Sequence, residues 1–421
     1  MRIRDWDRNL KIRLFGEALM NITFWMFFPF LTIYFAESFG KDKAGFLLIF
    51  SQLFSVFANL LGGYMADRFG RKRMMVLSAF GQGIAFLIFA YAVSPWYTSP
   101  MLGFICFTLV GIFGSIYWPA SQAMVADVVP EKDRSSVFAI FYTQINIAVV
   151  IGPILGTIFY VKYRFELMIA VAIISILLAL VLSKWTRETV PASAKQARTE
   201  KGKWYDFLIE QFADYKVIIQ DKVFLLFIIA GVLAAQTFMQ LDLLFPVYTK
   251  DMVNNQTILE IGSKVFTVNG EAFGLILSEN GLLVALFTVA VTKWVTRFPE
   301  RNVFVLSSLF YAVSILMFGA THWIWGLILA MAVFTLAELL TAGLQQTIIS
   351  NLAPEQMRGQ YFAAASLRYT FGRTIAPISI PLTVWIGYRW TFTILSVLAV
   401  LSAILFWVMF RMYENRKQFG L

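Results

Sequence analysis

Twelve apolar stretches, each about as long as a bilayer-crossing helix, fix what this chain can become. They run near 12–36, 44–66, 74–94, 101–127, 137–160 and 165–184, then near 222–249, 271–296, 303–320, 323–350, 360–386 and 390–411. A helix rises about 1.5 Å per residue, so roughly 20 apolar residues cross a hydrocarbon core about 30 Å thick. Lipid offers no hydrogen bonds to a backbone, and helices satisfy their own. The predicted fold class is therefore an all-α polytopic membrane protein with 12 transmembrane helices. Composition agrees: 14% of residues are charged, against about a quarter in soluble domains.

The net charge of +10 invites a nucleic-acid reading, but the cations are spread by topology. With both termini in the cytoplasm, 26 of the 35 Lys and Arg residues fall inside and 7 outside, with Arg368 and Arg373 within a span. That bias sets both termini of a cell-membrane protein on the cytoplasmic side and leaves no basic face for nucleic acid. The start, Arg2 to Arg8, is too polar for a signal peptide. It reads as a short basic helix on the inner membrane surface, anchored by Trp6.

Several chemistries are missing. The one cysteine, Cys106, lies in an apolar run and reads as packing, and the one histidine, His322, leaves no His/Cys set for a metal. No phosphate-binding G-x-x-x-x-G-K-[ST] loop occurs. No nucleophile has a histidine partner and no carboxylate pair has a water-activating neighbour. Neither an enzyme nor a cofactor is expected.

The chain divides in the middle. Residues 1–185 form one set of six runs, 186–221 are a polar cytoplasmic linker, and 222–421 hold the second six. Within the linker, Trp204 to Ile209 has amphipathic spacing and predicts a helix along the inner surface. The halves repeat one another: Asp127, Pro130, Glu131 and Arg134 return as Asn351, Pro354, Glu355 and Arg358 at an offset of 224. Gly152-Pro153 returns as Ala376-Pro377 at the same offset. Between the seventh and eighth runs, residues 257–268 alternate about Gly262-Ser263 like a β-hairpin.

The loop Gly63-Tyr64-Met65-Ala66-Asp67-Arg68-Phe69-Gly70-Arg71-Lys72 reads G-x-x-x-D-R-x-G-R-K. It resembles the signature between the second and third helices of the major facilitator superfamily. The resemblance implies two pseudo-symmetric six-helix bundles with a substrate cavity between them. It also implies that Asp67 lies against a helix start of the other half while the cations hold the loop in the cytoplasm. On this basis Asp67, Arg68, Gly70, Arg71, Asp127 and Arg134 are assigned to conformational coupling. The matching loop of the second half, Thr296 to Arg301, lacks the acid and the glycine, so no strong twin is expected there.

Charged groups at the bilayer centre cost about 2.5 kcal/mol or more, so those inside spans are site candidates by default. The deep ones singled out are Glu17, Asp242, Glu338, Arg368 and Arg373. Glu338 stands midway along the tenth run with no cation within four residues. It suits a group that takes a proton from one side and releases it to the other, unless Arg368 or Arg373 satisfies it. Asp242, just before Phe245-Pro246, is the second candidate. Glu17 is either a third or the partner of Arg13 one helical turn away. Gln144 and Asn146, with the aromatics Trp118, Tyr142 and Tyr369, are candidates for a cavity wall. Trp323 and Trp325 read as markers of the outer interface.

Gly152-Pro153-Ile154-Leu155-Gly156 supplies a hinge where another backbone can approach. It resembles the core of the motif found in drug/proton exchangers, although Gln144 replaces the upstream glycine. Together with Trp6 to Lys11, Met239 to Asp242 and Thr335 to Glu338, the chain resembles LmrP-type multidrug/proton antiporters over nearly its whole length. That resemblance ties Asp242 and Glu338 to proton coupling and cation binding. It also expects an acid in span 5, where this chain has Phe141. The implied function is proton-driven efflux of amphipathic, often cationic drugs by alternating access, with a lipid or small-nutrient transporter as the alternative. The implied partners are protons, small amphipathic substrates and membrane lipids, for a chain working as a monomer.

Overall fold

Three glycines turn the chain where consecutive helices meet end to end. Gly40 (φ 79°), Gly70 (φ 111°) and Gly387 (φ 76°) sit in the left-handed region that side chains disfavour. Each lets one span follow another with almost no loop. The computed structural model describes residues 3–189, 221–261, 264–342, 344–353 and 358–419.

The first half contains α1 (Arg8–Phe39), α2 (Lys41–Phe69), α3 (Arg71–Ala92), α4 (Pro100–Val128), α5 (Glu131–Lys162) and α6 (Arg164–Trp185). The second begins with α7 (Lys222–Phe238), which resumes after a break as α8 (Leu244–Met252). The hairpin β1 (Gln256–Ile261) and β2 (Lys264–Val268) follows, then α9 (Phe273–Val295), α10 (Glu300–Ala320), α11 (Ile324–Ala342) and the short α12 (Gln345–Leu352). The chain closes with α13 (Arg358–Ile375) and α14 (Ser379–Phe419).

Among the described residues, 11 helical segments are long and apolar enough to cross a membrane. The last, Ala364–Arg416, has 53 residues. At about 1.5 Å per residue it is over twice the length of a crossing. Gly387 breaks it, so it holds the eleventh and twelfth spans. The expected dozen is present.

The described residues fall into two units. One takes those up to Phe39 and from Phe50 to Thr189; the other takes Gly40–Ile49 and those from Asp221 onward. Within each, the same spans pack together. In the first unit, α1 packs on α5 and α6, and α3 on α4 and α6. In the second, α7 packs on α13 and α14, and α10 on α11 and α14. In span order these are the same pairings, as duplication requires.

The segment from Gly152 to Gly156 packs through close contact. A side chain on Gly152 would run into Trp25, and one on Gly156 into the Met26 carbonyl, so both glycines let α1 and α5 touch backbone to backbone. The hairpin forms as expected, antiparallel with Leu259 opposite Phe266. Gln256 pins it, donating to the His322 carbonyl (2.7 Å) and accepting from the Ile324 amide (2.8 Å).

One expectation fails. Trp6 is not an interfacial anchor: it is 3% exposed and stacks on Phe141 with ring centroids 5.9 Å apart. Leu10, Leu14, Val125 and Val137 complete this core. A large ring buries more apolar area there than at a water-facing boundary. The helix expected at Trp204 to Ile209 lies outside the described residues, as do Pro354 and Glu355 of the repeat.

Replacing Gly156 by leucine should therefore overpack the α1–α5 contact, costing about 1–3 kcal/mol. Gly63→Ala, at a position with nothing within 4 Å of an added Cβ, should be neutral or stabilising. Thermal unfolding of the purified variants in detergent checks both.

Candidate functional site

Among the described residues, polar side chains collect in several places, three of which hold candidate residues. The first surrounds the Gly70 turn. Gly70 precedes α3, whose opening amides lack helical partners. Glu188, just beyond α6, supplies one: its Oε1 accepts from the Arg71 amide at 2.8 Å and the Lys72 amide at 3.5 Å. A side chain on Gly70 would strike this carboxylate, so the glycine is required by contact as well as by φ. Arg71 Nε lies 3.4 Å from Asp127 Oδ2, and Thr189 Oγ1 donates to the same oxygen at 2.9 Å. Gly70, Arg71 and Asp127 are thus brought together. Arg68 is turned elsewhere, onto the Tyr64 hydroxyl. The side chains of Asp67 and Arg134 lie outside the described ones.

The strap that delivers Glu188 is itself held. The Arg187 amide donates to Asn9 Oδ1 (3.0 Å), Asn9 Nδ2 donates back to the Arg187 carbonyl (2.9 Å), and Arg187 Nη2 meets Asp7 (2.7 Å). Asp7 also accepts from the Asn9 amide at the start of α1. The second unit repeats the device. Asp221 accepts from the first amides of α7 and pairs with Arg416 near the end of α14 at 3.3 Å.

The second cluster is buried in the first unit. Arg13, 1% exposed, donates through Nε to Glu17 at 2.8 Å and through Nη1 to the Ser121 carbonyl at 2.7 Å. Its guanidinium lies 4.8 Å from the centre of the Phe141 ring. The Tyr117 hydroxyl donates to Glu17 at 2.7 Å. Of the two readings of Glu17, the geometry realises the pair with Arg13.

The third cluster lies in the second unit. Asn280 on α9, 4% exposed, donates through Nδ2 to Thr335 Oγ1 and to Glu338 Oε2, both at 3.0 Å. Glu338 is half-buried and, among the described residues, has no ion pair. Arg368 does not serve it: that guanidinium is 4.4 Å over the Phe227 ring and bonds the Ala365 carbonyl at 2.9 Å. An amide donor suits a proton carrier, because the carboxyl can accept from it both ionised and with a proton on its other oxygen.

Asp242 occupies a break in the seventh span. The helix tightens at Met239–Leu241 and restarts at Leu244. Span 11 has its own break at Ala376–Ile378, around Pro377. Gln240 joins the two, accepting from Ser379 Oγ at 2.6 Å and donating to the Gln236 and Ala376 carbonyls at 2.9 and 3.4 Å. Asp242 is within electrostatic reach of both Arg373 and Glu338. Broken helices at membrane depth are tolerated only where protein or a water-filled cavity satisfies the freed groups.

The proposed wall residues Trp118, Tyr142 and Tyr369 are exposed, and Tyr369 donates to Gln345 Oε1 at 2.7 Å. Asn146 bonds its own helix, at the Tyr142 carbonyl. Both polar atoms of the Gln144 amide are occluded with no bond among the described residues.

Sequence reasoning missed Asn280, Glu188 and Glu279. Asn280 and Glu279 stood in plain view inside the run 271–296, where polar side chains are functional candidates by default. Glu188 carried no such signal, since its partners are backbone amides more than a hundred residues away.

Comparison with known proteins fits this geometry. The family profile described as Major Facilitator Superfamily matches residues 14–261 and 254–420. A protein named Na(+), Li(+), K(+)/H(+) antiporter from Planococcus maritimus is 59% identical, over 99% of both chains. Multidrug resistance protein MdtH of Salmonella newport is 23% identical over 92% of this chain and 87% of its own. Among solved structures, a POT family transporter in complex with a thioalcohol-conjugated peptide matches with a TM-score of 0.76 at 16% identity, over 96% of each chain. At that identity the likeness is one of fold.

Glu17→Gln should strand the Arg13 charge, since their side chains are 2% and 14% exposed. Breaking one partner of such a buried pair costs about 3–5 kcal/mol, whereas replacing both removes most of the penalty. Chemical denaturation should find Glu17→Gln far less stable than Arg13→Met/Glu17→Gln.

Proposed function

The chain belongs to the major facilitator superfamily, and from that premise we propose that it is a secondary antiporter exchanging protons for monovalent metal cations. Protons move inward and cations outward across the plasma membrane, with both termini in the cytoplasm and each chain working as a monomer. The observation that carries this reading is Glu338, a mid-span carboxyl bound to the neutral amide of Asn280 and, among the described residues, to no cation. Ionised and alone, it would cost about 2.5–3.5 kcal/mol at the bilayer centre, so a proton or a cation should occupy it in turn.

The antiporter relative supports the choice of cargo, because its name supplies the three alkali cations and the proton together. Hard oxygen donors suit such ions, and Glu338, Thr335 and Asp242 offer them. In the proposed cycle, Glu338 loads a proton on the outer side, carries it inward by alternating access, and gives it up as a cytoplasmic cation binds near it and Asp242. Glu17 takes no part, being held by Arg13 and Tyr117. Arg71, Asp127 and the Gly70 turn couple the conformations.

Efflux of amphipathic organic cations is the second reading. The exposed aromatics Trp118, Tyr142 and Tyr369 favour it, since such rings hold flat cations by cation–π attraction. The distant multidrug relative points the same way.

Everted membrane vesicles acidified by respiration decide between them. Adding Na+, Li+ or K+ should release the trapped protons from wild-type vesicles, and Glu338→Gln should abolish the response. An unchanged response in Glu338→Gln would contradict the assignment. Ethidium uptake without any cation response would replace the first reading with the second.

A further inference from the structure

Glu279 is a second carboxyl at the depth of Glu338, and nothing above uses it. Glu338 stands 14 residues beyond Ile324, about 21 Å along a crossing that runs from Ile324 to Ile349. The bond from Asn280 sets α9 at the same level, and Glu279 is one residue, about 1.5 Å of rise, from Asn280. It is therefore close to mid-membrane.

Its direction differs. Asn280 faces α11, while Glu279 is rotated by about 100° around the helix. It falls in a stripe with Leu275, Leu282 and Leu286, which are 39%, 47% and 62% exposed and leave that side of α9 unpacked. One oxygen of its carboxyl, Oε2, is closed off from solvent and has no hydrogen-bond partner among the described residues. Against α9 pack α11, α8 and the turn Gly270–Ala272. Their titratable groups are engaged elsewhere or bond nothing on Glu279. Glu338 is bound to Asn280, Asp251 to Tyr388 and Tyr248 to the Thr321 carbonyl, Lys250 makes no ion pair with it, and the Glu271 side chain lies outside the described ones.

A carboxylate with an orphaned oxygen among leucines at this depth is stable only with a proton or a cation on it. We infer that Glu279 is a second proton-carrying carboxyl of the exchange, so that each cycle moves two protons inward for one monovalent cation outward. One positive charge then crosses per cycle. With glutamine at 279, one proton would cross for one cation and no net charge would move. This rests on the antiport reading above, and its test separates the two.

The full chain is reconstituted in liposomes carrying an internal pH dye, with the membrane potential set by a thiocyanate gradient. Wild-type Na+/H+ exchange should change several-fold in rate when the potential is imposed. Glu279→Gln should keep exchange at zero potential but lose that response, and Glu279→Asp should restore it. An equal response in wild type and Glu279→Gln, or none in wild type, overturns the inference while exchange itself survives. Absence of exchange in wild type would instead sink the antiport reading. Should Glu279→Gln fail to insert, dicyclohexylcarbodiimide, which attacks protonated carboxyls in apolar surroundings, is applied to the wild type. Peptide mass spectrometry should find Glu279 modified, and less so in Na+ than in choline; no modification, or no protection, overturns the proposal.

Discussion

The amide of Asn280 between Thr335 and Glu338 is the contact on which the proposed exchange depends. Within a bilayer there is no water to solvate a carboxylate, so the protein must provide either a countercharge or a neutral donor. Here it provides a neutral donor, at 3.0 Å. A countercharge would hold Glu338 ionised permanently. An amide leaves its charge to be settled by what arrives, and an exchanger needs that freedom.

The first unit resolves the same constraint the other way. Arg13 and Glu17 neutralise each other, with Tyr117 and the Ser121 carbonyl taking the remaining bonds. Where the resemblance leads one to expect an acid in span 5, the ring of Phe141 lies against the guanidinium instead. The pair needs no second carboxylate, and acids left without such a pairing, Glu338 among them, sit in the second unit. The repeated helix pairings supply the frame for both solutions. The terminal straps, Asp7 with Arg187 and Asp221 with Arg416, close each repeat in the same manner.

Much of this was legible in the sequence. Twelve runs, two halves, the hairpin and the Gly70 turn all follow from local pattern, because the bilayer and backbone geometry act on each segment separately. Glu338 and Asp242 were legible because a lone acid in an apolar run contradicts its surroundings. The Arg13 partner of Glu17 was legible too, standing one helical turn away. What was not legible is the amide that holds Glu338, since only the fold brings Asn280 of another helix beside it. Glu188 was hidden for the same reason: a capping carboxylate over a hundred residues distant leaves no periodic trace. Trp6 misled because its basic flank reads as interfacial, while the cavity lined by Leu10, Leu14 and Val125 that receives its ring exists only once α1, α4 and α5 are assembled.

The claim at the centre is that a cation and a proton compete for Glu338. Proton release on cation binding tests it most directly. Purified protein in lightly buffered detergent solution near neutral pH is mixed with Na+ or Li+ while a dye follows the pH. The account predicts protons released in proportion to protein, saturating with cation, absent with choline and reduced or lost in Glu338→Gln. Release of the same size from Glu338→Gln, or none from the wild type, would contradict it.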